Sequence, residues 1–361
     1  MSAARAIGLM LGLAADGVLG DPRERPPVTA FRRLATASIG PGGGGGTTAS
    51  AAVPEVGGPV HDGNFAASPA NAASPAAAAI RSTPAIPLTS TAPAAVRPVV
   101  LGLGVAAAAV AVGVVVERAT RGRPVAQAAT TAVATWAVVG AAGLVTQGTE
   151  LARDLEQGDL EPARATLSAW DARVADGLGP IALSRAAVET LAENTSEVVV
   201  APLLWGALAG VPGLLASRTI SVLRSVARGR TGRPHWAVER IDELIHLLPT
   251  RAAAGLTVLA APVVGGSAGG AWRAWRRDTI AHPSPNAGRV EAAFAGALEI
   301  RVGGRTVYPH GVVELPVLGV GRNPDAGHVT RAVELSRVVG WLAGATSVVL
   351  ALAAGLRHRR S

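Results

Sequence analysis

The fold of this chain is decided by RAAVETLAENTSEVVVAPLLW, residues 185–205, a polar stretch that runs directly into an apolar one. Read as a helix, the stretch carries one basic and three acidic side chains at successive four-residue steps on one face, namely Arg185, Glu189, Glu193 and Glu197. Residues 198–215, which follow, contain no charged side chain. We therefore predict that the acidic face lies at the mouth of a membrane segment.

Two interpretations fit the four-residue pattern. An exposed helix face with an Arg–Glu pair is the commoner arrangement in soluble proteins. An exposed face needs no adjoining apolar segment, however, and three acids around one Arg leave a negative charge that favours a metal ion, a cationic substrate or protonation. The sequence context favours the second interpretation.

Composition places the chain among multi-pass membrane proteins. Of its 361 residues, 49% are hydrophobic and 16% are charged, and the mean hydropathy is +0.35. All 33 basic residues are Arg, which excludes lysine-dependent phosphate loops and Schiff-base enzymes. The chain has no Cys and only 3% aromatic residues, so thiolate chemistry and base-stacking surfaces for nucleic acids are excluded as well.

The sequence predicts an all-α polytopic membrane protein in three parts. Residues 1–37 hold a first membrane helix and the loop GDPRERPPV; a cleavable signal peptide is the alternative for that helix. Residues 38–98 are rich in Gly, Ala, Pro and Ser, and we predict a low-complexity disordered insertion. Residues 99–361 form the membrane-embedded domain.

About five to six membrane spans are expected. Apart from the first helix they are assigned to residues 99–116, 125–145, 198–215, 252–270 and 338–356. Three Arg between the first two of these favour a cytoplasmic loop there. The remaining extramembrane parts are helical, apart from a short β-hairpin whose turn is predicted at Gly303-Gly304.

Two further motifs suggest ligands. In residues 239–246, Glu239, Glu243 and His246 recur at helical spacing as metal-ligand candidates, although a solvated acidic face is the commoner meaning of such a pattern. In HPSPNAG, residues 282–288, Asn286 is predicted to cap the following helix, and Arg289 with the exposed amides could bind an anion. A plain Pro-rich turn is the alternative.

Taken together, the order of these strings resembles the CobD/CbiB family of membrane adenosylcobinamide-phosphate synthases of cobalamin biosynthesis. The resemblance covers nearly the whole chain outside residues 38–98. It rests on GDPRERPPV, LEQGDLEPARATL, AVETLAENTSEVVVAPLLW, ERIDEL with LLPTR, HPSPNAG with Glu291, and GGxxxY.

The resemblance implies ATP-dependent amide formation between adenosylcobyric acid and aminopropanol phosphate or aminopropanol, with ATP and Mg²⁺ as cofactors. It also implies a multi-pass location in the cell membrane, contact with lipid and with other membrane enzymes of late cobalamin assembly, and no nucleic-acid partner. The residues carried over as catalytic are Glu189, Glu193, Asn194 and Arg185. Those carried over for substrate or phosphate are Thr195, His282, Ser284, Asn286 and Arg289, and those for metal are Glu189, Glu193 and Asp242. Asp21 and Glu291 are further candidates.

The chain also departs from the family pattern. Arg224 stands where the family has an acid, Glu197 stands where the family has Asp after AENT, and the early His-Pro-Val is Pro26-Pro27-Val28. These departures keep two alternatives open: a non-catalytic corrinoid-binding or assembly protein, and a small-solute transporter with interrupted spans.

Overall fold

The computed structural model describes residues 2–20, 92–227, 233–309 and 311–357. Asp21, GDPRERPPV beyond Gly20, and nearly all of the predicted insertion lie outside the described residues. The helices are α1 (Ser2–Leu19), α2 (Ala92–Ala119), α3 (Pro124–Val138), α4 (Ala141–Gln157), α5 (Leu160–Trp170), α6 (Pro180–Asn194), α7 (Ala201–Ala209), α8 (Val211–Ala227), α9 (Arg233–Ala260), α10 (Ala268–Asp278), α11 (Ala287–Leu298) and α12 (Ala326–Arg357). Thr195–Val200 form a π-helical turn, Ala261–Val264 and Thr279–Ala281 form 3₁₀ turns, and the strands are β1 (Val302–Tyr308) and β2 (Gly311–Leu318).

The predicted all-α polytopic fold is confirmed. Four stretches within the described ranges are long and apolar enough to cross a membrane, namely Val100–Ala119, Pro124–Gln157, Ala237–Val264 and Ala326–Leu356. The sequence predicted about five to six membrane spans, and four candidate spans are found among the described residues. The stretch Pro124–Gln157 contains two helices, because the chain leaves the helix after Val138 and re-enters at Ala141.

The predicted span 198–215 is not one helix. It is divided among the π-turn, α7 and α8, and the break between α7 and α8 falls at Gly210, whose φ is +70°. A side chain at Gly210 would lie 2.5 Å from the Glu117 carboxylate, which accepts a hydrogen bond from the Val211 amide at 3.1 Å. Arg5 in turn pairs with Glu117 at 2.7 Å. The break is thus held by a partly buried ion pair between α1 and α2 and by the hydrogen bond from α8 to the same carboxylate.

The predicted span 252–270 also has different bounds. Residues 252–260 are the last part of α9, which begins at Arg233, runs through Pro249 and ends at Ala260, whereas residues 261–264 form a 3₁₀ turn and α10 begins at Ala268. The last helix, which contains the predicted span 338–356, already begins at Ala326, where Asp325 Oδ1 accepts a hydrogen bond from the His328 amide at 3.1 Å.

The β-hairpin is confirmed, but the position of its turn is wrong. β1 and β2 pair antiparallel with Tyr308 opposite Gly311, so Gly303 and Gly304 lie inside β1. Both glycines have positive φ, near +87° and +84°, and the register shifts between Val302 and Gly304. They form a bulge, because a Gly pair supplies positive φ in a strand as readily as in a turn.

The main core lies between α4, α5, α6, α9, α10, α11 and the first half of α12, where Phe294, Leu183 and Leu191 are fully buried. A smaller apolar cluster joins α2, α8 and α9, and a third joins α1, α3, α7, α8 and α12. Polar side chains line the boundary between these clusters, which positions the candidate site.

Helix α1 packs on α3 by close backbone approach. Side chains added at Gly8 and Gly12 would lie 2.6 Å and 2.5 Å from the Cβ atoms of Thr131 and Thr135, respectively. Small residues four apart are the usual means of close helix packing in membranes.

We predict that Gly12→Ala lowers the free energy of unfolding in detergent by about 1–3 kcal/mol, because the added methyl forces α1 away from α3. Gly17→Ala on the same helix is the matched control, since its Cβ would meet nothing within 4 Å. Equal thermal stability of the two variants would contradict the close-packing explanation.

Candidate active site

The two diagnostic strings of the sequence meet in space. AENT closes α6 and leads into the π-turn, whereas HPSPNAG leads into α11, which packs against α6 and α9. Glu193 of α6 and Glu291 of α11 hydrogen-bond to each other at this meeting point. The pair brings together residues that are almost a hundred positions apart in the chain.

Glu193 and Glu291 share a buried setting that disfavours two negative charges. Glu291 is 5% exposed, and Glu193 is partly buried. Burial, reinforced by neighbouring carboxylates, raises the pKa of Glu193 and raises that of Glu291 well above its usual range. We refer to Glu193 and Glu291 as the carboxyl pair, in which ionisation of both groups at once is disfavoured.

Arg173 forms the first cationic contact of the site. Its guanidinium pairs with Asp171 and with Glu189, the latter at 2.5 Å, and all three side chains are buried. Burial disfavours the charged form of Asp171, but Arg173 and a 3.0 Å hydrogen bond from Thr190 together hold the pKa of Asp171 below its usual range. The other Glu189 oxygen accepts a 2.7 Å bond from the Gly303 amide.

Arg224 forms the second cationic contact of the site. It pairs with Glu197 and lies 3.3 Å from Asp242 Oδ2. The Glu197 carboxylate raises the pKa of Arg224 despite partial burial, so the guanidinium remains charged. Asp242 also lies 3.1 Å from His246 Nδ1, and His246 Nε2 is 3.3 Å from Ser221 Oγ.

A cavity of about 370 Å³ opens beside Arg224. Four carboxylates and one guanidinium line it, so its net charge is negative when these acids are ionised. Its lining residues are Glu197, Arg224, Glu239, Asp242, Glu243, Pro283, Ser284, Asn286 and Ala287. Of the proposed metal ligands in residues 239–246, Glu239 and Glu243 face this cavity and His246 turns toward Asp242 and Ser221.

The HPSPNAG loop is organised differently from the prediction. Ser284 Oγ accepts hydrogen bonds from the amides of Asn286 and Ala287, whereas Asn286 occupies the cap position without a side-chain cap bond. Instead, Asn286 Nδ2 donates to the Glu243 carbonyl at 2.9 Å. Arg289 Nε donates to the Pro285 carbonyl at 3.0 Å. The loop is thus tied to α9 and to itself.

Three of the other predicted residues lie apart from the carboxyl pair or are engaged elsewhere. Arg185 lies against β1, where it donates to the Arg305 carbonyl at 3.2 Å. Thr195 is fully buried; its hydroxyl donates to the Leu191 carbonyl at 2.6 Å and lies 2.7 Å from Ser336 Oγ. Asn194 is half-buried at the end of α6. The prediction that these three act on substrate stays a prediction.

The predicted metal ligands do not form one ligand set. Among the described residues, no group of three or more acidic or histidine side chains is arranged to hold a metal ion. Glu189 is engaged by Arg173, Glu193 by Glu291, and Asp242 by Arg224. The cavity still fits a cation carried in by a substrate, because Asn286 Oδ1 is buried there without a hydrogen-bond partner in the described part of the chain.

Comparison with known proteins identifies the family. The family model described as "CobD/Cbib protein" matches residues 68–336. This chain belongs to the CobD/CbiB family. A relative from Mycobacterium tuberculosis, named cobalamin biosynthesis protein CobD, is 48% identical over 225 residues, which cover 62% of this chain and 72% of the relative.

Two more distant relatives of the CobD/CbiB family carry the same name. One from Geobacter metallireducens is 40% identical, and the match covers 54% of this chain and 63% of the relative. One from Chromobacterium violaceum is 34% identical, and the match covers 61% of this chain and 70% of the relative. No solved structure matches. The matched range begins inside the segment predicted as an insertion and ends within α12, and the chain is a cobalamin biosynthesis protein of this family.

Sequence reasoning missed Arg173, the cation that engages Glu189. The spacing in Asp171-Ala172-Arg173 was the available signal, because an acid and a base two residues apart in a loop can face the same side. Arg185 was the more obvious partner, being one helical turn from Glu189. The Gly303 bulge, which delivers an amide to Glu189, gave no signal beyond the glycine pair itself.

We predict that Arg173→Met in this CobD/CbiB-family protein costs about 3–5 kcal/mol of unfolding free energy, because it leaves Asp171 and Glu189 buried without a counter-charge. Arg337→Met is the matched control: its pair with Glu334 is about half exposed on both sides, so a loss of at most about 1 kcal/mol is expected. Denaturant titration in detergent measures both. A loss for Arg173→Met no larger than the control's would contradict the buried-charge assignment.

The carboxyl pair also predicts a pH dependence. Because the folded-state pKa values of Glu193 and Glu291 are raised, their contribution to stability is full below the ordinary Glu pKa of about 4.3 and declines as pH rises through the folded values. Glu291→Gln removes one of the coupled groups and should flatten this decline in thermal unfolding measured from pH 5 upward. An unchanged slope would show that the pair is ionised throughout.

Proposed function

We propose that the protein catalyses ATP-dependent amide formation between the free propionate carboxylate of adenosylcobyric acid and the amine of aminopropanol phosphate or aminopropanol. The product is adenosylcobinamide phosphate, or the corresponding adenosylcobinamide. The proposal places the enzyme in the cell membrane as a multi-pass protein, in contact with lipid and with other membrane enzymes of late cobalamin assembly. Family membership supports the pathway, and the carboxyl pair beside an acidic cavity supports the reaction type.

The acidic cavity suits the amine. At neutral pH an aliphatic amine is an ammonium ion, and the surplus carboxylates of the cavity attract it. An ammonium donor also supplies the partner that buried Asn286 Oδ1 lacks. Glu239, Glu243 and Asp242 would therefore hold the amine before reaction.

The carboxyl pair suits proton removal. An amine attacks a carbonyl carbon only after it loses a proton, and a carboxylate whose pKa is raised is a stronger base than an ordinary one. Glu193 interacts with Glu197 and Arg224, which line the cavity, and with Glu291. In the proposed mechanism Glu193 accepts the proton from the amine and Glu291 shares it.

ATP with Mg²⁺ would supply the phosphoryl group that activates the otherwise unreactive propionate carboxylate, so that attack by the amine forms the amide and releases inorganic phosphate, with ADP as the other product. The chain's fixed cations near this point are Arg173 and Arg224, and a guanidinium is suited to bind carboxylate or phosphate oxygens in two-point fashion. Arg224 lines the cavity, so it is our assignment for the charge that develops on the transferred group. One or two cavity carboxylates, Glu197 among them, would be enough for a Mg²⁺ ion that arrives on the nucleotide.

We predict that purified protein in detergent forms the amide product from adenosylcobyric acid, aminopropanol phosphate and Mg-ATP, as detected by chromatography. Glu193→Gln should lower the rate by about 10²–10⁴-fold, the usual contribution of a general base. Glu150→Gln, on the exposed face of α4, is the matched control and should stay within about twofold of the parent. A fully active Glu193→Gln would remove this residue from the mechanism.

A second candidate function is supported by Arg224. Because this guanidinium engages both Glu197 and Asp242, it neutralises two acids that would otherwise be open to a metal or an amine. A corrinoid-binding protein without turnover is the function this contact favours. Saturable corrinoid binding with no amide product under the conditions above would select it.

A further inference from the structure

His282 occupies a buried position next to the carboxyl pair. Its side chain is 5% exposed, and its Nε2 lies 3.6 Å from Glu291 Oε2. Within the described ranges this Nε2 atom has no hydrogen-bond partner. A buried ring nitrogen without a hydrogen-bond partner costs about 1–3 kcal/mol. The nearby Glu291 Oε2 is therefore the candidate partner of Nε2.

The ring's other nitrogen is held by the backbone of Ser284. His282 Nδ1 lies 3.1 Å from the Ser284 amide nitrogen, which can only donate, and 3.2 Å from the Ser284 carbonyl oxygen, which can only accept. The two contacts hold the ring in place and are compatible with both neutral tautomers. Burial lowers the pKa of His282, which favours the neutral ring. Nε2 is therefore available to Glu291 as a donor or as an acceptor.

Gly288 makes this position available. A Cβ atom at residue 288 would lie 2.4 Å from His282 Cγ and 2.8 Å from Nδ1, closer than real Cβ contacts allow. Gly288 lies in the first turn of α11 without a positive φ, so the requirement is for space and not for backbone conformation. The ring therefore packs directly on the helix backbone, three residues before Glu291.

We propose that His282 is a positioning residue, whose Nε2 forms a hydrogen bond with Glu291 and fixes the orientation of Glu291 against Glu193, and that Gly288 provides the space for its ring. The proposal requires the 3.6 Å separation of Nε2 and Glu291 Oε2 to shorten to hydrogen-bond length when substrate binds. The assignment differs from an anion-binding role, because the ring is buried and faces an acid. Its catalytic consequence rests on the proposed amide ligation, but the contact itself does not.

The experiment compares two pairs of variants. His282→Gln can place a side-chain N–H near the position of Nε2, whereas His282→Asn can keep only the contact to Ser284. Gly288→Ala displaces the ring, whereas Gly255→Ala, whose Cβ would meet nothing within 4 Å, is its matched control. Each is measured for amide formation with separate kcat and KM, and by ¹⁵N NMR of histidine-labelled protein in detergent.

We expect His282→Asn and Gly288→Ala to lower kcat by about 10–100-fold, the usual effect of losing an orienting partner, with KM for aminopropanol phosphate unchanged within about threefold. His282→Gln should recover most of the lost rate, and Gly255→Ala should match the parent. In the NMR spectrum, the His282 signals, identified by their loss in His282→Asn, should show a hydrogen-bonded Nε2. Those signals should shift in Gly288→Ala and in Glu291→Gln.

The two proposals fail in different ways. A raised KM for aminopropanol phosphate with unchanged kcat would assign His282 to anion binding and overturn the positioning role. His282 signals that do not shift in Glu291→Gln or Gly288→Ala would also overturn it, whether or not the protein makes an amide. Absence of amide product in the parent, with the expected NMR shifts, would reject the proposed function and retain the contact.

Discussion

The hydrogen bond between Glu193 and Glu291 sets the main constraint on this structure. Two carboxyl groups can lie together in a protein interior only if they share a proton or face nearby cations. The fold provides the cations, because Arg224 acts on Glu193 and Arg173 acts on Glu291, and each guanidinium is also engaged by acids of its own. Helices α6, α8 and α11 and the loop after α5, which carry the pair and the two Arg, must therefore keep their relative positions.

The π-turn at Thr195–Val200 follows from the same constraint. It separates α6, whose last turn carries Glu193, from the apolar helix α7. An extra residue in one turn changes the direction of the faces that follow, and such turns are frequent at functional sites. Here the Val198 carbonyl accepts a hydrogen bond from the Gly140 amide at 3.2 Å, which attaches the turn to the short connection between α3 and α4. The polar helix and the apolar helix are thereby joined without a loop.

Some features of the fold and of the candidate site could be predicted from the local sequence, and others could not. Continuous apolar runs and the Asp325 cap were predictable because each depends on neighbours within a few residues. The resemblance to a family located AENT and HPSPNAG as the two important strings, but it could not show that Glu291 is the side chain that joins them. The positions of Arg173 and of the Gly303 amide depend on a loop and a bulge meeting α6 in three dimensions, and the break at Gly210 depends on Glu117 from another helix. Periodicity contains none of that information.

The close packing of α1 through Gly8 and Gly12 has a consequence for how the chain can vary. Residues 20–91 separate α1 from α2, yet α1 fits a groove formed by α3 and α12. A Cβ atom at Gly8 or Gly12 would lie 2.6 Å or 2.5 Å from a Cβ atom of α3, so neither position accepts a larger residue unless α1 shifts. Shape alone therefore restricts the sequence of α1 at these two positions, although the helices of the groove lie more than a hundred residues further along the chain.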